Sequence, residues 1–289
     1  MTGTIPVLGS DPTRTPDRRV PQRDPSRRLP GFEMAIWPLG LILALFIVVP
    51  MVALVWRTLQ YGTDVTADTL ATFRQALTLS LVTTAIAMLV IVGLGTPLAY
   101  ILARRPFRGR WLVDTLVDLP IVLPPAVAGI ALLMAFGRRG VLGGTLAEWG
   151  ITIPFTAVAV VIAQIFVAAP FYIRAARGGF GRIEPDLEAA AADLGARPGT
   201  VFRTITLPLA RPGLAAGAVL AWARALGEFG ATIMFAGNLA GTTQTMPLAI
   251  YGEYGSGDLP AALLLAIILL LVSVVILLVS RLVSRDRSY

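Results

Sequence analysis

The stretch LEAAAADLGARPGTVFRTITLPLARPG (residues 187–213) lies between two of the most hydrophobic runs of the chain, yet it carries three arginines and two acids. Pro185, just ahead of it, suits a first helical position, and Asp186 and Glu188 suit the positive end of a helix dipole. Gly195 suits a left-handed stop, so the spacing predicts a helix of about ten residues. Leu187, Ala190, Ala191 and Leu194 then fall at i, i+3, i+4 and i+7, one narrow apolar face on a helix outside the membrane. Pro198 opens a second short helix, expected to end before Pro208 and turn into the next apolar run. A small-faced helix flanked by Arg197 and Arg203 fits a groove on a partner protein. It equally fits a lipid headgroup surface, and the residues alone leave both open.

Outward from this stretch the chain is a polytopic membrane protein. Hydrophobic residues make up 56% of it and mean hydropathy is +0.76, above the roughly 45–50% apolar content of soluble domains. Six runs reach the ~20 residues that a helix needs to cross hydrocarbon: 35–55, 76–102, 112–136, 153–173, 213–237 and 259–280. The 24 basic residues are all arginine. Six precede the first run, four lie in RRPFRGR (104–110), six lie between Arg174 and Arg211, and three follow Ser280. If the runs alternate, these share one side, against Arg57, Arg74, Arg138 and Arg139 on the other. That positive-inside bias sets both termini in the cytoplasm and explains the net charge of +7 without nucleic acid. Trp37 and Trp56 bracket the first run about 28 Å apart and mark its interfaces. Residues 1–34 read as a disordered cytoplasmic tail, 35–75 as the first span and an outer loop, 76–280 as the main membrane domain, and 281–289 as a second cytoplasmic tail.

Cys and His are absent, which excludes thiol nucleophiles, thiolate zinc sites and imidazole bases. With no lysine there is no phosphate-binding loop ending in Gly-Lys-Ser/Thr, so ATP hydrolysis by this chain is not expected.

Three prolines in VDLPIVLPP (Pro120, Pro124, Pro125) rule out an unbroken helix in the third run. Either a short helix precedes the true span, or broken backbone lines a path, since such backbone needs protein or a water-filled cavity to cover it. Gly95 and Pro97 are expected to kink the second span. In the fifth run Gly213, Gly217, Ala221 and Ala225 form a small-residue stripe for close helix packing. Arg224 and Glu228 share one face near the expected middle of that run. They mark a functional site or simply neutralise each other. The loop NLAGTTQTMPLAIYGEYGSGDLP (238–260) includes a short amphipathic or re-entrant stretch, 246–251.

The pattern Glu-Ala-Ala, three residues, Gly, nine residues, Ile, one residue, Leu-Pro resembles the cytoplasmic signature of ABC-importer permease subunits. Gly195, Ile205, Leu207 and Pro208 match it in type and spacing. Alanines 189–191 fill the Glu-Ala-Ala positions, so Glu188 stands one residue early. Leu187, Ala190, Ala191, Leu194 and Gly195 therefore rank ahead of Glu188 among the expected coupling residues. DLPIVLPPAVAG, ARALGEFGATIMFAGN and TQTMPLAIY look most like molybdate permeases, with sulfate and tungstate permeases close. The sulfate branch tends to Gly-Glu-Tyr-Gly where this chain has Phe229.

The resemblance spans about residues 76–280. It implies an all-α, type I ABC-importer permease fold with six transmembrane helices and a coupling helix over 185–199 that docks on a cytoplasmic ATP-binding subunit. ATP and Mg would reside on that subunit and no cofactor on this chain. It further implies a homodimer in the cell membrane, served by an extracytoplasmic oxyanion-binding protein. The expected path lining is Arg224, Glu228, Asn238, Thr243 and Gln244. An ATP-independent carrier or channel is the rival from another class. A membrane-embedded enzyme using Asp114, Asp118, Glu228 or Glu253 comes third.

Overall fold

The computed structural model describes residues 30–61 and 67–285, with side chains over 36–61 and 67–278. All regular structure among the described residues is helical. The helices are α1 (Pro30–Tyr61), α2 (Ala67–Arg104), α3 (Arg110–Val122), α4 (Pro125–Phe136), α5 (Gly143–Glu148), α6 (Ala157–Gly181), α7 (Pro185–Asp193), α8 (Pro198–Val201), α9 (Leu207–Leu226), α10 (Gly230–Phe235), α11 (Met246–Ser256) and α12 (Leu259–Arg285), with a π turn at Phe202–Thr206 between α8 and α9. The tail expected over 1–34 lies outside the described residues as far as position 29, and from Pro30 the chain is helical. The second tail, 281–289, is helical to Arg285, and the rest lies outside the described residues. The chain divides into two units, 1–52 and 53–289. In the first, α1 carries exposed apolar side chains such as Leu39, Ile42, Phe46 and Val49, as a lipid-facing span does.

Among the described residues, five stretches are long and apolar enough to cross a membrane: Ile36–Tyr61, α2, α6, Pro198–Leu226 and Leu259–Leu278. The third expected span is corrected. α3 and α4 meet at 118°, and with 13 and 12 residues they reach about 20 and 18 Å, each short of a ~30 Å core. Pro125 begins α4, where its missing N–H costs nothing. Counted as one crossing, the bent pair makes six. Of the outer loop expected between the first span and residue 75, 57–61 lies in α1 and 67–75 in α2. α2 also runs through Gly95 and Pro97 as one helix.

The fifth span is corrected more deeply. It starts at Pro198 and ends at Leu226, rather than running from 213 to 237, and the second short helix does not stop before Pro208. Pro208 and Pro212 cannot donate to the preceding turn. The π turn widens the ladder ahead of them, with Leu207 N–H bonded to Phe202 O, and the helix carries on.

In the second unit, α6 packs between α2 and α9. Lipid gives helices no hydrophobic reason to associate, so close packing must do so. Gly213 and Gly217 meet α6 directly: a Cβ at Gly213 would stand 2.6 Å from Gly179 Cα, and one at Gly217 3.0 Å from Tyr172 O. Ala221 and Ala225, the rest of the stripe, are fully buried. On the other side of α6, Tyr172 covers Gly95 and hydrogen-bonds Thr96 at 2.6 Å. Buried Gln164 links all three helices through its Nε2, which donates to Thr84 Oγ1 (3.1 Å) and Ala225 O (3.2 Å). A second core joins α4, α6 and α10 around Leu132, Val160, Val167 and Phe235. A third joins α2, α11 and α12 around Ala76, Met246 and Leu265.

Gly178 and Gly213 separate packing from propensity. A Cβ at Gly178 meets nothing within 4 Å, so Gly178→Ala is expected to be neutral or to stabilise by up to about 1 kcal/mol. Gly213→Ala forces two backbones apart and is expected to cost about 1–3 kcal/mol. Thermal denaturation of both variants in detergent measures the difference.

Candidate functional site

Two places in the second unit stand out. At the arginine-rich end, α7 begins with Pro185 in its first turn and ends in a Schellman motif. Ala196 N–H bonds Ala191 O (3.0 Å), Gly195 N–H bonds Ala192 O (2.9 Å), and Gly195 takes φ +87°, which glycine adopts without strain. No residue of α7 is buried. Leu187 and Ala190 are exposed and Ala191 half-buried, while Leu194 is 89% exposed. The expected apolar face therefore points away from the protein's own core. Ile205 lies in the π turn and Pro208 in the first turn of α9, both half-buried.

Glu188, ranked low because of its offset, has the most specific contacts of the segment. Its Oε1 accepts a hydrogen bond from Thr206 Oγ1 at 2.6 Å and lies 2.9 Å from Arg104 Nη2. Arg104 Nη1 donates to Ile183 O at 2.9 Å. One carboxylate thus joins the last residue of α2, the α7 segment and the end of the π turn. Arg104 and Thr206 were not singled out in the sequence, because no local pattern marks them as its partners.

Where α9 ends, a second set of groups converges. Because the helix starts at Pro198, Arg224 lies in its last turn and Glu228 beyond it, rather than near mid-span. Glu228 is 1% exposed. Its Oε1 accepts from Ala231 N–H at 2.7 Å, capping α10, and Arg224 Nη1 lies 2.5 Å from Oε2, off the direction a hydrogen bond needs. The Arg224 side chain is 28% exposed. Here the two broken segments touch: a Cβ at Gly230 would stand 2.6 Å from Pro125 Cβ, and one at Gly129 2.6 Å from Ala231 O.

The loop after α10 is braced by its own polar groups. Thr243 Oγ1 accepts from Leu239 N–H (3.0 Å) and donates to Gly237 O (3.3 Å). Asn238 Nδ2 donates to Leu248 O (3.1 Å). Gln244 is half-buried beside Gly252. The stretch expected as a short re-entrant piece over 246–251 is the longer α11, whose first N–H, from Met246, bonds Ser80 Oγ at 2.8 Å. An open groove of 540 Å³ beside Phe229, Tyr251 and Leu263 is lined by apolar side chains, which a dianion would not favour.

Three of the four acids named for a buried reaction are otherwise engaged. Asp114 pairs with Arg177 at 2.5 Å and Asp118 with Arg174 at 3.3 Å, while Glu228 is bound as above. Glu253 lies half-buried on α11.

Membrane-length helices joined through small residues, with two broken segments meeting among them and a short helix held clear at one end, have the architecture of a membrane transport subunit. Residues 95–289 match the family described as the binding-protein-dependent transport system inner membrane component, and the chain belongs to it. It is 45% identical over 226 residues to the molybdenum transport system permease protein ModB of Mycobacterium tuberculosis, covering 78% of this chain and 84% of that one. It is 41% identical over 262 residues to a probable molybdenum ABC transporter permease protein of Haloferax volcanii, covering 89% and 91%. Among solved structures, a bacterial ABC transporter involved in alginate import aligns with TM-score 0.70 at 19% identity, over 89% of this chain and 96% of that one. The MetNI methionine ABC transporter aligns with TM-score 0.61 at 18% identity, over 78% and 100%. These last two show a shared fold. The expected all-α permease fold is the one observed.

Glu228→Ala leaves Arg224 unpaired and α10 uncapped. Its expected cost is roughly 3 kcal/mol, the low end for breaking a buried pair because Arg224 keeps some exposure. Removing both charges with Arg224→Ala in the same chain is expected to cost less than the single change, which denaturation in detergent measures directly.

Proposed function

We propose that the chain is the membrane-spanning subunit of an ATP-driven importer for molybdate. The observation that carries this is its 41–45% identity to molybdenum permeases over most of both chains. The substrate chemistry fits a powered carrier. Bringing a dianion into an inside-negative cell works against about 4.6 kcal/mol at 100 mV. Tungstate and sulfate, dianions of the same shape, are the competing substrates.

Two copies of the chain form the pathway between them, with both termini in the cytoplasm, as the arginine distribution favours. An extracytoplasmic oxyanion-binding protein delivers the substrate. One of the solved alginate transporter structures is a complex with a substrate-bound periplasmic protein, which supports this kind of partner. A cytoplasmic ATP-binding subunit holds ATP and Mg and docks on the α7 segment, residues 185–199. The exposed Leu187, Ala190 and Leu194 with the Gly195 stop suit such docking. Glu188, Ile205 and Pro208 root the segment in the bundle. The path runs along α9 and the region where Pro125 meets Gly230. Asn238, Thr243 and Gln244 shape its outer loop, and the Arg224–Glu228 pair sets the end of α9 beside it.

In vesicles holding the chain with its ATPase and binding protein, molybdate uptake is expected to require ATP, and vesicles holding the chain alone are expected to show none. Gradient-driven flux through the chain alone would make it an ATP-independent carrier. Competition by tungstate and sulfate in the same vesicles ranks the three anions.

Ala190→Arg places a bulky charge on the docking face without touching the core, and Gly195→Arg adds to such a charge the strain of a side chain at φ +87°. Each is expected to abolish ATP-coupled uptake while the protein stays in the membrane. Normal coupled uptake in both would remove α7 as the docking element.

A further inference from the structure

We infer that Glu188 is the positioning residue that makes the α7 segment move as one body with α2 and the root of α9, so that the bundle is driven through a polar link rather than through packing. This rests on the reading above, in which α7 receives the ATPase.

Force passes between helices most directly through buried side chains, and α7 has none. An open cleft of 430 Å³ separates Leu187 from Gly179, Leu209, Pro212 and Gly213, so α7 does not rest on the α6–α9 pair there. What ties α7 to the bundle beside that cleft is polar. The Glu188 carboxylate accepts from Thr206 Oγ1 at 2.6 Å and pairs by charge with Arg104 Nη2 at 2.9 Å, and Arg104 Nη1 donates to Ile183 O, two residues before α7 begins. With 13% and 23% exposure of the Arg104 and Glu188 side chains, the pair is more shielded than a surface ion pair, which contributes little. Arg104 is also the last residue of α2, where a cation is favoured by the helix dipole.

The receiving end has local compliance. Thr206 closes the π turn, a wide turn of the kind found at functional hinges, and α9 leaves it as one helix. A displacement of α7 therefore reaches α2 through Arg104 and α9 through Thr206 from one oxygen atom. The offset of Glu188 from the family spacing is consistent with this: its carboxylate turns back to its own chain, leaving Leu187, Ala190 and Leu194 to face outward.

The test uses the complete transporter in vesicles and reads uptake per ATP hydrolysed, a ratio that the amount of folded protein does not change. Wild-type vesicles come first: if they show no ATP-driven uptake, the proposed function fails and not this inference. Given a coupled wild type, Glu188→Ala is expected to lower the ratio by about tenfold, within the usual span of coupling energies, while the ATPase still co-purifies. The exchange Arg104→Glu with Glu188→Arg restores an ion pair but not the bonds to Ile183 O and Thr206 Oγ1, and is expected to recover part of that loss. If Glu188→Ala does not assemble, Thr206→Val, which keeps the ion pair, carries the test with a smaller drop in the same ratio. An unchanged ratio in the assembled variant, or a loss that the exchange leaves in place, overturns the inference.

Discussion

The approach of α6 to α9 through glycine governs the rest of this structure. In lipid, apolar side chains gain nothing by leaving lipid for protein, so a bundle holds together where backbones come close enough for dense contact and shared hydrogen bonds. Gly179 and Gly213 meet backbone to backbone, and Gly217 rests on Tyr172 and Ala175. With α9 fixed there, Ala225 O is in place to accept from Gln164, and Gln164 in turn holds Thr84 of α2. A buried amide in this position is costly unless satisfied, and its bond to Ala225 O exists only because α9 lies against α6. Tyr172 likewise serves both neighbours, covering Gly95 of α2 on one side and Gly217 of α9 on the other.

What was legible in the sequence follows the range of the physics. The stop at Gly195 is local, and the Schellman motif forms where the glycine requires it. The stripe 213, 217, 221 and 225 is local too, so a close-packing face was readable, but nothing within one helix says that its partner is Gly179. Pro208 does not end its helix, whereas Pro124 and Pro125 break theirs. A missing N–H ends a helix only if the ladder cannot widen, and the π turn at 202–206 widens it, whereas two adjacent prolines with α3 ending beside them leave no such adjustment. The expected stop before Pro208 also set Arg224 and Glu228 near mid-span.

The least legible element was Glu188, for a related reason. Spacing patterns rank a residue by where it stands in its own segment, and by that measure Glu188 is displaced. Its partners lie at the end of α2 and at the start of α9, and only folding brings them together. The expected apolar face and the stop needed nothing beyond α7 itself, whereas the residue that connects α7 to the bundle needed the whole second unit.

Continuity of α9 gives these pieces a common axis. From Thr206, at its contact with Glu188, to Leu226 the chain advances about 30 Å at helical rise, and the break where Gly230 touches Pro125 follows. Its middle is clamped to α6 by glycines that leave no slack for independent bending, while both ends are held by carboxylates, Glu188 below and Glu228 above. A helix restrained in this way responds to a push at its root by tilting or sliding as a unit. The far end abuts α4, itself half of a bent pair too short to cross alone. A break at Pro208 would have isolated the root from that contact. The π turn keeps the two connected, which gives the wide turn a mechanical reason to stand where it does.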